Sequence, residues 1–159
     1  MKINLSILAI LAMGLMFTSC GDDLESTSYD YAFNDGYTGD HATDLEATLT
    51  IEELENGGSM ITVELTNTVD GETYPLHAHD AADSAETPNM TPYIEAPNAD
   101  VFASTITGNG GTASTTATTT RSFTELTTTY DGFLVVHDPL QDVNTADLST
   151  FLIVSTFAR

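Results

Sequence analysis

The chain has 159 residues, with 24 Asp and Glu against three Lys and Arg and a formal net charge of −21. No basic patch exists to neutralise phosphates, so nucleic acid is excluded as a partner, and anionic lipid headgroups are repelled. Cations are the natural ligands of such a surface, although solubility alone accounts for most of the acids.

Met1 and Lys2 give a positive start, Ile3 to Phe17 is almost wholly apolar, and the small residues Thr18 and Ser19 precede Cys20. That order is the pattern of a secretory signal. The apolar run is short for a membrane span and is followed at once by Gly21-Asp22-Asp23. Phe17-Thr18-Ser19-Cys20 resembles a lipobox, which implies removal of residues 1–19 and diacylation of Cys20. Two acyl chains suffice for stable anchoring. The expected location is the cell envelope, anchored to the outer membrane on its periplasmic or surface face. Cys20 is the single cysteine, so no disulfide forms within the mature chain, and stability must come from packing or from a metal. The length after cleavage suits one domain with its own core.

Residues 20–44 are acidic and turn-rich and read as a tether, with Tyr29, Tyr31 and Phe33 available to dock on the domain. From Leu45 the pattern changes. Leu45, Ala47, Leu49 and Ile51 alternate with Glu46, Thr48, Thr50 and Glu52, the period of a half-buried strand. Asn56-Gly57-Gly58 supplies positive-φ residues for a tight hairpin, and Ile61, Val63 and Leu65 continue the alternation on the returning strand. Further strands are predicted near Thr73–His79, Asp100–Thr107, Thr112–Thr119, Gly132–His137 and Ser149–Phe157. Gly108 to Gly111 turns between two of them. The threonine run from Thr115 to Thr120 reads as a solvent-facing strand rather than a stalk, because Thr favours strands and the run ends close to Phe123. No segment has sustained helical periodicity. The expectation for residues 45–159 is an all-β, Greek-key sandwich or barrel of about eight strands.

Four histidines are present. His77-Ala78-His79 lies on a predicted strand, where alternate residues share a face, so both imidazoles project together. His137 ends the apolar strand Phe133-Leu134-Val135-Val136, from which it can reach a neighbouring strand. Three imidazoles suit copper or zinc. An HxH pair by itself is a weak signal, and a histidine after a core strand is commonly just polar. No G-x-S-x-G elbow appears, no phosphate-cradling glycine loop precedes a helix, and no lysine remains for Schiff-base chemistry once Lys2 is removed.

The run Ala47 to Asp80, with Val69-Asp70-Gly71 ahead of Leu76-His77-Ala78-His79, resembles the first part of the copper/zinc superoxide dismutase family. Asp131-Gly132-Phe133-Leu134-Val135-Val136-His137-Asp138 resembles that family's later histidine-bearing strand. The resemblance covers most of residues 45–159. It implies that His77, His79 and His137 match three of the four copper ligands. No histidine lies between Asp80 and Val136, so the zinc subsite is absent and zinc is not expected; Asp100 matches at most one zinc ligand. The family's disulfide is also missing, and its active-site arginine aligns with Thr150. The resemblance therefore implies a copper-binding domain with weak or absent dismutase activity. The alternatives are a working copper-only dismutase and a non-catalytic structural or adhesion module resembling CHRD-type domains. His41, Met90, Tyr93 or water are the candidates for a fourth ligand, with a solvated tether histidine and loop packing as the plainer readings of the three side chains. Asp138 and Asp142 are candidates to orient a ligand histidine through its second nitrogen.

Overall fold

The computed structural model describes residues 23–87, 90–142, 144 and 147–159. The signal segment and Cys20 lie outside the described residues. Eight strands form two antiparallel four-stranded sheets: β1 (Ser26–Tyr31), β2 (Glu46–Glu53), β3 (Ser59–Thr66), β4 (Thr73–Asp80), β5 (Ala103–Thr107), β6 (Ala113–Thr119), β7 (Gly132–His137) and β8 (Phe151–Thr156). One sheet has the order β1-β2-β3-β6 and the other β5-β4-β7-β8. The chain is an all-β sandwich, as the alternating patterns predicted.

The core lies between the sheets. Ala47, Leu49 and Ile51 of β2 face Ile61, Val63 and Leu65 of β3, all essentially without solvent exposure. Tyr74, Leu76 and Ala78 of β4 and Leu134 and Val136 of β7 close it from the second sheet. Burying each large aliphatic side chain contributes about 1.5–3 kcal/mol. The outward positions of the first sheet are hydroxyl-rich: Ser28 pairs with Thr50, and Thr62 with Thr116, through side-chain hydrogen bonds of 2.9 and 3.0 Å. The threonine run is thus a strand, β6, as expected from its composition.

The segment read as a tether is partly a strand. β1 pairs with β2 from Ser26↔Glu52 to Tyr31↔Ala47. Beyond it, the Asn34 and Thr38 amides donate to Leu152 and Ser149 carbonyls at 2.8 and 2.9 Å, which ties the segment to the other sheet. Tyr31 is buried, and its hydroxyl accepts the Ala158 amide. The ordered domain therefore begins well before Leu45. The signal for β1 was weak because Ser26, Thr27, Ser28 and Asp30 make an edge strand with little apolar contrast. The Asn56-Gly57-Gly58 hairpin is as predicted, except that only Gly57 takes a positive φ, +81°. A short π-helical turn over Glu125–Thr129 precedes β7.

Candidate metal centre

His77 and His79 project from the outer face of the second sheet, away from the core. Their neighbour Ala78 points inward, and the register His77↔Val135 and His79↔Phe133 puts those two β7 residues on the outer face as well. His137, two residues beyond Val135, shares that face. This explains why Phe133 to Val136 is a continuous apolar run. Leu134 and Val136 fill the core, while Phe133 and Val135 belong to a second small cluster with Tyr93 and Phe151. In that cluster the loop residue Tyr93 packs on β7 and β8 side chains of the outer face.

The three rings converge. His77 and His137 approach Nε2 to Nε2 at 3.0 Å, and one potential ligand nitrogen from each of His77, His79 and His137 lies within 4.8 Å of the others. Ring centroids are 4.7 Å apart for His77–His79 and 4.7 Å for His77–His137. His79 and His137 are buried, and His77 is half-buried. The Nδ1 of His79 donates to the Ile94 carbonyl at 2.8 Å, which makes Nε2 the lone-pair nitrogen. That Nε2 is buried and has no hydrogen-bond partner among the described residues, as is Nδ1 of His137. An unpaired buried polar atom costs about 1–3 kcal/mol. A cation at the point of convergence would occupy the His79 orphan.

Aromatic rings wall the cluster. Tyr93 lies 4.6 Å from His79, and Phe151 lies 4.6 Å from His137 in an edge-on contact. Phe151 reaches this face through an irregularity in the β7–β8 ladder: Val136 pairs with Ile153 but His137 pairs with Phe151. Both Leu152 and Ile153 then point to the core. Neither Phe151 nor the Ile94 carbonyl was expected at the site, and no residue-type signal marks either.

Burial holds the imidazoles neutral. It pushes His77 down to about 3, aided by His137 and His79, and His137 down to about 4, aided by His79. His79 is lowered too, by burial, against the opposing Ile94 carbonyl. Neutral rings are the form that binds a metal. These rings lie below the unfolded value near 6.5, so the unfolded chain takes up more protons as the pH falls. Stability of the metal-free domain is complete above about pH 6.5 and is lost as the pH drops toward the folded values. At pH 4.5 the loss amounts to about 2 kcal/mol for His137 and less for His77, whose partial exposure screens it. Urea midpoints at pH 7.5 and 4.5 check this. Wild type should lose more stability between them than a His77→Gln/His137→Gln variant, and equal losses would contradict it.

Of the other candidates, only Tyr93 adjoins the cluster. His41 is not solvated. It is buried, with Nδ1 donating to the Ala42 carbonyl at 2.8 Å and Nε2 paired with the Tyr74 hydroxyl at 3.0 Å. Both nitrogens are used, so it is a core-edge histidine and not a fourth ligand. Met90 is 74% exposed. Tyr93 stands beside the cluster through its ring. Asp138 is buried, but its carboxylate accepts from Tyr37, Gln141 and the Leu140 amide, so it braces the residue 37–41 segment instead of orienting His137. Asp142 and Asp100 are exposed, and the Thr150 hydroxyl donates to the Asp147 carbonyl at 2.7 Å.

Fold and site together define an all-β sandwich with a three-histidine cluster able to hold a metal ion. No protein-family model, curated protein or solved structure matches the chain.

Proposed function

We propose that the chain is a copper-binding protein with a superoxide dismutase-like domain, exported and held at the cell envelope by lipid on Cys20, in which dismutase activity is weak or absent. The observation that carries the reading is the convergence of three neutral imidazoles, two of them with an orphaned buried nitrogen. His77, His79 and His137 would hold the ion through neutral ring nitrogens that already lie within 4.8 Å of one another. Imidazole ligands suit copper. Strand order supports the dismutase-like reading. β6 returns to lie beside β3, and β7 beside β4, the relation found in Greek keys. The anchor is supported by the residue 17–20 pattern alone.

Charge argues against fast turnover of an anion. A net charge of −21 repels superoxide. Arg121 is engaged with Glu125 at 2.5 Å and Arg159 with Asp131 at 3.3 Å, so both carry carboxylate partners of their own. Bound copper would supply a redox-active cation. The protein's part is to hold it through His77, His79 and His137 and to shield it with Tyr93 and Phe151.

The test is a titration of the purified chain with copper(II), joined to a superoxide assay of the loaded protein. One equivalent should bind tightly, His77→Ala and His137→Ala should each weaken binding at least 100-fold, and dismutation should stay close to that of free protein. Unchanged binding in both variants would remove the site. Rapid dismutation would instead make the chain a copper-only dismutase.

A further inference from the structure

The loop between β4 and β5 is stitched to the end of β4 beside the histidines. The Ala82 amide donates to the Pro92 carbonyl at 2.9 Å, and the Ile94 amide to the Asp80 carbonyl at 2.9 Å. Ala81 and Tyr93 form an antiparallel bridge. Thr91 is buried, and its hydroxyl donates to the Tyr93 carbonyl at 3.0 Å. Residues 91–94 therefore act as a strap fixed to β4 by backbone bonds.

The strap grips one ligand histidine from two directions. The Ile94 carbonyl accepts Nδ1–H of His79 at 2.8 Å, setting the tautomer. The fully buried Tyr93 ring lies 4.6 Å from the His79 ring at 39° between planes, restricting its rotation, and is itself backed by Phe133 at 5.6 Å. Among the described residues, His77 and His137 have no comparable grip from this loop. Outer partners of metal-bound histidines commonly set affinity by 10- to 100-fold.

We infer that Tyr93 is a positioning residue for metal binding: its ring, held by the residue 91–94 strap, fixes the plane in which His79 presents Nε2. This rests on the copper reading above and extends it to the loop. The positioning contact is the one its ring face makes with the His79 ring.

Copper(II) sulfate and the full chain test it, with affinity measured by competition against a chelator and geometry by electron paramagnetic resonance. Tyr93→Ala should weaken binding 10- to 100-fold and shift the copper(II) signal, while Tyr93→Phe should restore wild-type affinity within about threefold and the wild-type signal. A Tyr93→Ala protein that binds with wild-type affinity and signal overturns the inference. A second measurement needs no disruptive variant. The chain contains no tryptophan and six tyrosines, so ultraviolet emission reports tyrosine alone. Copper(II) should quench a component that Tyr93→Phe removes, and an undiminished quench in that variant overturns the placement. Loss of binding in His77→Ala or His137→Ala keeps the copper reading standing whichever way Tyr93 behaves; binding untouched there sinks both.

Discussion

Copper(II) at a hundredfold excess over its dissociation constant is expected to stabilise the native chain by about 2.7 kcal/mol, because it binds the folded state and not the unfolded one. For a domain of this size that raises the melting temperature by roughly 8–10 °C. His77→Ala is the informative variant. His77 is half-buried, whereas His79 and His137 are almost completely enclosed. Trimming His77 leaves little void and removes a ring whose burial is unfavourable to its charged form. The cost of the variant at neutral pH is then mainly the lost partner of the buried His137 Nε2, about 1–2 kcal/mol of metal-free stability. The copper-dependent rise should nevertheless disappear, because the two remaining rings lose their nearest ligand partner. Melting curves with and without copper, and with a chelator, measure both quantities. A wild-type curve that copper does not move, or a His77→Ala curve that copper still moves by the full amount, would count against the site. A large metal-free loss in His77→Ala would instead make these histidines structural.

The second large effect belongs to Gly108, in the turn between β5 and β6. A methyl group there would sit 2.2 Å from the Val69 carbonyl oxygen and 3.0 Å from Thr68 Cβ. Backbone cannot yield as a side-chain tip does. The same glycine donates its amide to Glu72 at 2.8 Å and accepts from Gly71 at 3.0 Å. It thus marks the close crossing of two connections, β3 to β4 and β5 to β6, that join the sheets. Gly108→Ala should cost about 2–3 kcal/mol. Gly57 provides the control. Its φ is +81°, yet a methyl group would meet nothing within 4 Å. Gly57→Ala should therefore cost only the left-handed conformation, about 1 kcal/mol. Urea denaturation of the two variants ranks them, and a Gly108→Ala protein as stable as Gly57→Ala would show that the crossing can open. The consequence reaches the metal centre, because β4 starts just after this crossing and carries His77 and His79.

Much of the architecture was legible because strands with one buried face announce themselves. The alternation through Leu45 to Ile51 and Ile61 to Leu65 matches β2 and β3, and the HxH spacing put two imidazoles on one face. β1 escaped because the inward face of this edge strand carries only two aromatic residues, Tyr29 and Tyr31, among Ser, Thr and Asp. His41 was misjudged for a related reason. Its burial comes from Tyr74, 33 positions away along the chain, and no local pattern reports that. Asp138 was a candidate to orient a ligand histidine, but its carboxylate is taken up by Tyr37, Gln141 and the Leu140 amide, partners that no local pattern shows.

The sequence alone determined the all-β class, the acidic surface, and the pairing of His77 with His79, since these follow from composition and from the two-residue period of a strand. Only the tertiary structure decided that His137 comes within 3.0 Å of His77, that the β7–β8 irregularity turns Phe151 onto the same face, and that the Tyr93 ring packs against His79. Those relations depend on strand register and loop closure between residues far apart in the chain. Long-range packing fixes them, and local residue preferences carry no record of it.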